Sequence, residues 1–175
     1  VGTSNHFLFT DSTLTFGGKS GATTELKDSV VGHAGFGAGY NQQAPDIAIR
    51  YDATTATDPG KATISAPWYA VGTGAYPRTY TVQVEDSSAT TEELEFTGQM
   101  SALEYECKAA TIQKTGAGVM KISAPNYFPG LQVTEGTLLV NNAYALGADR
   151  APNWLGYGTG NPHLVTVDGG TIDLN

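Results

Sequence analysis

Two stretches of this sequence gather flat aromatic rings beside hydrogen-bonding side chains. Trp68, Tyr69 and Tyr76 fall within residues 66–77, and Tyr144, Trp154 and Tyr157 within residues 143–163. Arg78, Asp149, Arg150 and Asn153 stand close to them in the chain, and Tyr127 lies two places after Pro125. A sugar ring offers C–H groups on its face and hydroxyls at its rim. The face packs on an aromatic π-surface, and the rim bonds to Asp, Asn or Arg. The set Trp68, Tyr69, Tyr76, Tyr127, Tyr144, Asp149, Arg150, Asn153, Trp154 and Tyr157 therefore has the chemistry of a carbohydrate contact. The competing reading is structural: a Tyr near a Pro covers a turn, and a Trp closes an open end of a stacked fold.

Bond-breaking chemistry is harder to find. Glycoside hydrolysis needs two carboxyl groups at a fixed separation, one of them protonated. The sequence has no adjacent Asp pair, Asp168 and Asp173 are strand-end residues, and Asp149 is followed at once by Arg150. His6, His33 and His163 follow no metal-ligand or catalytic spacing, and no Gly-x-Ser-x-Gly elbow occurs. The chain therefore reads as a binder and not an enzyme. Asp46, Asp52 and Asp58 are hard oxygen ligands of the kind calcium takes, and they form the one candidate ion site, set against the simpler reading of a solvated acidic turn. No other cofactor is expected.

The formal net charge of −8 excludes ordinary nucleic-acid binding, which rests on clustered Lys and Arg. Cys107 is the only cysteine, so an internal disulfide and a cysteine-based zinc set are both ruled out. Apolar runs are too short for a membrane helix, and the opening Val1-Gly2-Thr3-Ser4 reads as cut from a longer, multidomain polypeptide.

The elements that would position the aromatics are short strands. Gly supplies 22 of 175 residues and β-branched Thr is abundant, a balance that favours strands joined by tight turns over helices. Apolar residues recur two apart at Ile47, Ile49 and Tyr51, at Ala62 and Ile64, and at Tyr80, Val82 and Val84. The same spacing joins Leu94 to Phe96, Met120 to Ile122, Leu131 to Val133, Leu138 to Val140 and Val165 to Val167. A period of two puts each set on one face of a strand.

The strands also repeat. Ile64-Ser65-Ala66-Pro67 returns as Ile122-Ser123-Ala124-Pro125, and Gly136-Thr137-Leu138 is echoed by Gly170-Thr171-Ile172. A phrase reused at this distance must stack on its neighbours to bury a core. With coils of about 20–29 residues, the two Pro-containing copies fall two or three coils apart. That places Tyr69 and Tyr127 about 10–14 Å from each other. Residues 17–45, 66–77 and 143–163 exceed simple turns and are read as inserted loops.

The run Lys114-Thr115-Gly116-Ala117-Gly118-Val119-Met120-Lys121-Ile122-Ser123, then Asn126-Tyr127, Gly130, Val133, Gly136-Thr137-Leu138 and Asn141-Asn142-Ala143, resembles the autotransporter-associated β-strand repeat of bacterial surface proteins. The likeness covers residues 78–147 and resumes at 165–175, while residues 1–77 depart from it. It implies an all-β, right-handed parallel β-helix, a solenoid of one domain over residues 1–175, on an exported bacterial protein.

Two functions follow as expectations. One is a non-catalytic, extracellular carbohydrate-binding module that meets a plant cell-wall polysaccharide, xylan above others, through loop aromatics. The other is a structural passenger or adhesin segment whose aromatics are packing.

Overall fold

The computed structural model describes residues 5–8, 12–16, 24–26, 29–32, 47–53, 60–65, 68–70, 78–102, 110–126, 130–146 and 164–175. Every strand pairing in them is parallel, and no helix occurs among the described residues. The first sheet holds four strands in the order β1 (Asn5–Leu8), β4 (Ser29–Gly32), β7 (Trp68–Ala70) and β10 (Met100–Ala102). The second orders β15 (Leu164–Val167), β13 (Gly130–Val133), β11 (Ala110–Thr115), β8 (Arg78–Val84), β5 (Ile47–Tyr51) and β2 (Ser12–Phe16). The third orders β16 (Thr171–Asp173), β14 (Thr137–Val140), β12 (Val119–Ile122), β9 (Leu94–Phe96), β6 (Ala62–Ile64) and β3 (Thr24–Leu26).

Chain order and sheet order are linked simply. Successive strands go to the first, second and third sheets in rotation through β12, and β13 to β16 then alternate between the second and third. Each strand inside a sheet therefore pairs with the strand one circuit earlier and the strand one circuit later, and the strands at the sheet ends pair on one side. The two Pro-containing phrases lie two circuits apart in the third sheet, with Ile64 and Ile122 each in register with Phe96. The Gly-Thr echo joins adjacent circuits, where Thr137 faces Thr171 and Leu138 faces Ile172. Circuit length departs from the expected 20–29 residues: Val82 to Lys114 is a separation of 32, and Lys114 to Val133 only 19.

The period-two residues form the core. Ile64, Phe96 and Ile122 are fully buried in one ladder that ends at Val140, and Leu94, Met120 and Leu138 are buried in the ladder beside it. In the second sheet Ile49, Val82, Lys114 and Val133 occupy one inward line. Tyr51 and Tyr80 are buried with them. At about 25 cal/mol per Å² of apolar surface, each buried aliphatic or Phe side chain among them contributes about 1.5–3 kcal/mol.

The turn from the second sheet to the third needs glycine. Gly116 and Gly136 have φ of +78° and +65°, a region that L side chains rarely adopt. A Cβ on Gly136 would lie 2.4 Å from the carbonyl oxygen of Gly116 in the turn below. The stretches read as inserted loops also need correction. Residues 17–45 contain β3 and β4, and residues 66–77 contain β7, because their β-branched and aromatic residues pair with neighbouring circuits.

Candidate functional site

Of the aromatic set, Trp68 is placed against expectation. It begins β7, in register with Met100 and Val31, and only 1% of it is exposed. Its ring stacks on Phe96 at 5.7 Å and 18° and meets Tyr80 edge-on at 5.9 Å and 78°. Trp68 is thus a core residue and not a loop contact for sugar: the two rings offer it more apolar area than solvent-facing display would. The indole Nε1 is buried without a hydrogen-bond partner.

Tyr144 lies where a ligand could reach it, 61% exposed on the turn after β14. That turn is fastened at several points. The Tyr144 amide donates to Asn142 Oδ1 at 2.9 Å, and the Asn126 amide donates to the Tyr144 carbonyl at 3.0 Å. Asn142 Nδ2 donates to the Ser123 carbonyl at 3.4 Å, and Ala145 plugs the core beneath. Tyr69 sits on β7 in register with Ser101. Tyr76, Tyr127, Asp149, Arg150, Asn153, Trp154 and Tyr157 lie outside the described residues.

Three buried polar side chains escaped the sequence reading. Asn126 is fully buried and ties three circuits together, accepting from the Met100 amide at 2.7 Å and donating to the Ala145 carbonyl at 2.8 Å. Lys114 is fully buried too, and its Nζ donates to the carbonyls of Thr115, Gly116 and Glu135 at 3.2, 2.5 and 2.9 Å. Burial pushes its pKa down to about 8, while Glu135 and Glu93 pull it upward. Glu93, 1% exposed, accepts from the amides of Val119 at 2.6 Å and Ser87 at 3.3 Å. Burial raises its pKa in spite of those bonds. The signal for Lys114 was present in the sequence, since alternation puts it on the same strand face as Ile112. All three side chains bind backbone groups of neighbouring circuits, which makes them fasteners.

The outer face of the third sheet carries ion pairs. Lys61 bridges Glu92 at 2.9 Å and also contacts Glu95, while Lys121 meets Glu92 at 3.0 Å. The hydrogen bond from Lys61 lowers the Glu92 pKa. Burial pushes Glu95 upward, but Lys61 and Ser123 outweigh it and the net shift is downward. Both carboxyls are thereby biased toward the ionised form by the groups that donate to them.

Of the proposed calcium ligands, Asp52 is 4% exposed and 3.6 Å from Arg50 Nη2, and Asp46 and Asp58 lie outside the described residues. Arg50 also reaches Glu85 at 2.7 Å, and this hydrogen bond raises the Arg50 pKa. No cluster of three or more metal-ligating side chains occurs among the described residues. No helix among them is long and apolar enough to cross a membrane.

No protein family, curated protein or solved structure matches the chain. The likeness to the autotransporter-associated repeat therefore rests on the residues quoted for it.

Proposed function

We propose that this chain is a right-handed parallel β-helix that serves as a stacked scaffold segment of an exported bacterial surface protein. The observation that carries the reading is the rotation of successive strands among three parallel sheets with one register kept from circuit to circuit. A coil that presents the same rung to its neighbours extends without needing a new core, which suits a spacer that holds other parts away from a cell. The buried polar side chains support it, because Lys114, Glu93 and Asn126 spend their hydrogen bonds on adjoining circuits.

A one-circuit deletion tests the scaffold. Removal of residues 119–136 joins Gly118 to Thr137, which occupies the register place directly above Val119. A stacked coil closes over the gap and gives a soluble β-rich protein by circular dichroism, with one cooperative transition at lower temperature. An architecture closed by specific facing layers loses its core and fails to fold.

A second reading, non-catalytic binding of a plant cell-wall polysaccharide outside the cell, is favoured by Tyr144. Its exposed ring stands on a turn already fixed by hydrogen bonds, so little conformational entropy is lost on contact. Affinity electrophoresis through gels containing xylan, β-glucan, mannan or pectin checks it: retardation supports binding, and unaltered mobility in every gel removes it.

A further inference from the structure

The outer faces of the two six-stranded sheets differ in where they carry charge: on the second sheet Arg50 of β5, in register with Gln83, pairs with Glu85, and an uncharged line runs beside it. On the third sheet the outward line runs Thr63, Glu95, Lys121, Leu139 and Asp173, with Lys61 and Glu92 paired into it. On the second sheet the outward line runs Thr81, Gln113, Gln132 and Thr166 across four adjacent strands, and Thr79 and Thr111 lie in the line beside it. These six side chains are all uncharged, and each is exposed or half-buried. Their parallel line continues through Gly130, which adds no side chain, to Leu164, 65% exposed.

We infer that this Thr/Gln face of the second sheet is a docking surface for an extended, uncharged polysaccharide. The inference rests on the polysaccharide reading above and moves the contact from loop aromatics to a sheet face. Four properties select that partner. The lines of Thr and Gln carry no charge to hold an acidic chain or a polyanion, in contrast to the ion-paired third sheet. Hydroxyls and amides both donate and accept, as sugar hydroxyls do, and the Gln113 Nε2 to Gln132 Oε1 bond at 3.1 Å uses only part of that pair's capacity. Strands about 4.8 Å apart repeat at close to the rise of one β-linked pyranose unit, so a chain laid across β8, β11, β13 and β15 meets an outward Thr or Gln at each step, with a second Thr beside it on β8 and β11. The bare backbone at Gly130, with Leu164 beside it, gives a flat apolar patch for the C–H face of one ring.

The test uses the intact chain in gels of neutral xylan, β-glucan or mannan and of acidic polygalacturonate. Three variants accompany it: Gln113→Ala with Gln132→Ala, Gln113→Glu, and Tyr144→Ala. The expected result is retardation of the native chain in a neutral gel and about tenfold weaker binding in the double Ala variant, from the loss of two hydrogen-bonding positions. Gln113→Glu should weaken binding at least as much, with circular dichroism and melting temperature close to native for all three variants. Undiminished retardation of both face variants, with loss in Tyr144→Ala, overturns the face and leaves the polysaccharide reading standing. Retardation by polygalacturonate alone overturns the uncharged partner. A native chain that moves freely in every gel removes the polysaccharide reading and this inference together. Concentration-dependent dimerisation abolished by Gln113→Glu, without glycan binding, would assign the face to a second copy and overturn the inference.

Discussion

The two copies of the Ile-Ser-Ala-Pro phrase begin alike and finish differently. Ile64 and Ile122 are equally buried on either side of Phe96, yet the first phrase continues to Trp68 and the second to Asn126. Met100 lies between the two. It is the register partner of Trp68 on one side and donates its amide to Asn126 Oδ1 on the other. The earlier circuit fills the corner with an aromatic ring packed on Phe96 and Tyr80, and the later one spans it with an amide reaching both neighbours. The backbone course is common to both copies, while the residue after the Pro decides whether volume or hydrogen bonding closes the space between rungs.

If that contrast is physical, the two positions should respond to substitution in different currencies. Trp68→Ala should cost about 3–5 kcal/mol, the usual range for emptying a large aromatic site, read as a lower urea midpoint. Trp68→Phe should cost far less, because it keeps most of the packing and removes an indole N–H that has no partner. Asn126→Leu should cost about 2–3 kcal/mol, since it leaves the Met100 amide and the Ala145 carbonyl buried and unpaired. Hydrogen exchange at the Met100 amide should quicken in Asn126→Leu and hold nearer its native rate in Trp68→Phe. Equal protection of that amide in the two variants would erase the distinction.

The same contrast explains what could be read from the sequence. Alternation found the inward residues of β5, β6, β8, β9, β12, β13 and β14, because a period of two survives any twist or stacking of the strands. It also found the stacked copies, whose spacing is a property of the chain itself. It placed Trp68 in a loop because a residue after Pro beside small residues looks like a turn, and nothing local shows that Phe96 and Tyr80 wait one circuit away. Lys114 and Asn126 were passed over for a related reason. Burial of an ammonium or an amide is decided by carbonyls that neighbouring circuits bring to it, and those pairings are invisible along one strand. Tyr144 was read as one of the sugar-contacting aromatics, and its ring is 61% exposed on the turn after β14.

Lys114 extends the polar side of the comparison to a titratable group. Its pKa falls from the ordinary 10.5 to about 8 in the folded chain. Between those values the native state has released a proton that the unfolded state still holds, so the unfolded state binds more protons and stability rises with pH. Denaturant titrations should show a gain on the order of 2 kcal/mol from pH 8 to pH 10.5, and Lys114→Met should remove that slope while Trp68→Phe retains it. A stability that falls across this window would mean that the three carbonyls hold the ammonium more strongly than burial opposes it.

The smallest effect belongs to the charged outer face. Lys121 meets Glu92 at 3.0 Å, with both side chains partly exposed to solvent. Lys121→Ala should cost about 0.5 kcal/mol in dilute buffer, and added salt should shrink the difference. Glu92 keeps its partner Lys61 in that variant, so no charge is left isolated. A loss as large as that of Asn126→Leu would place the strength of the stack in its surface ion pairs. The division between rungs closed by rings and rungs closed by buried amides would then count for little, whereas a salt-sensitive loss below 1 kcal/mol keeps the holding contacts inside the core.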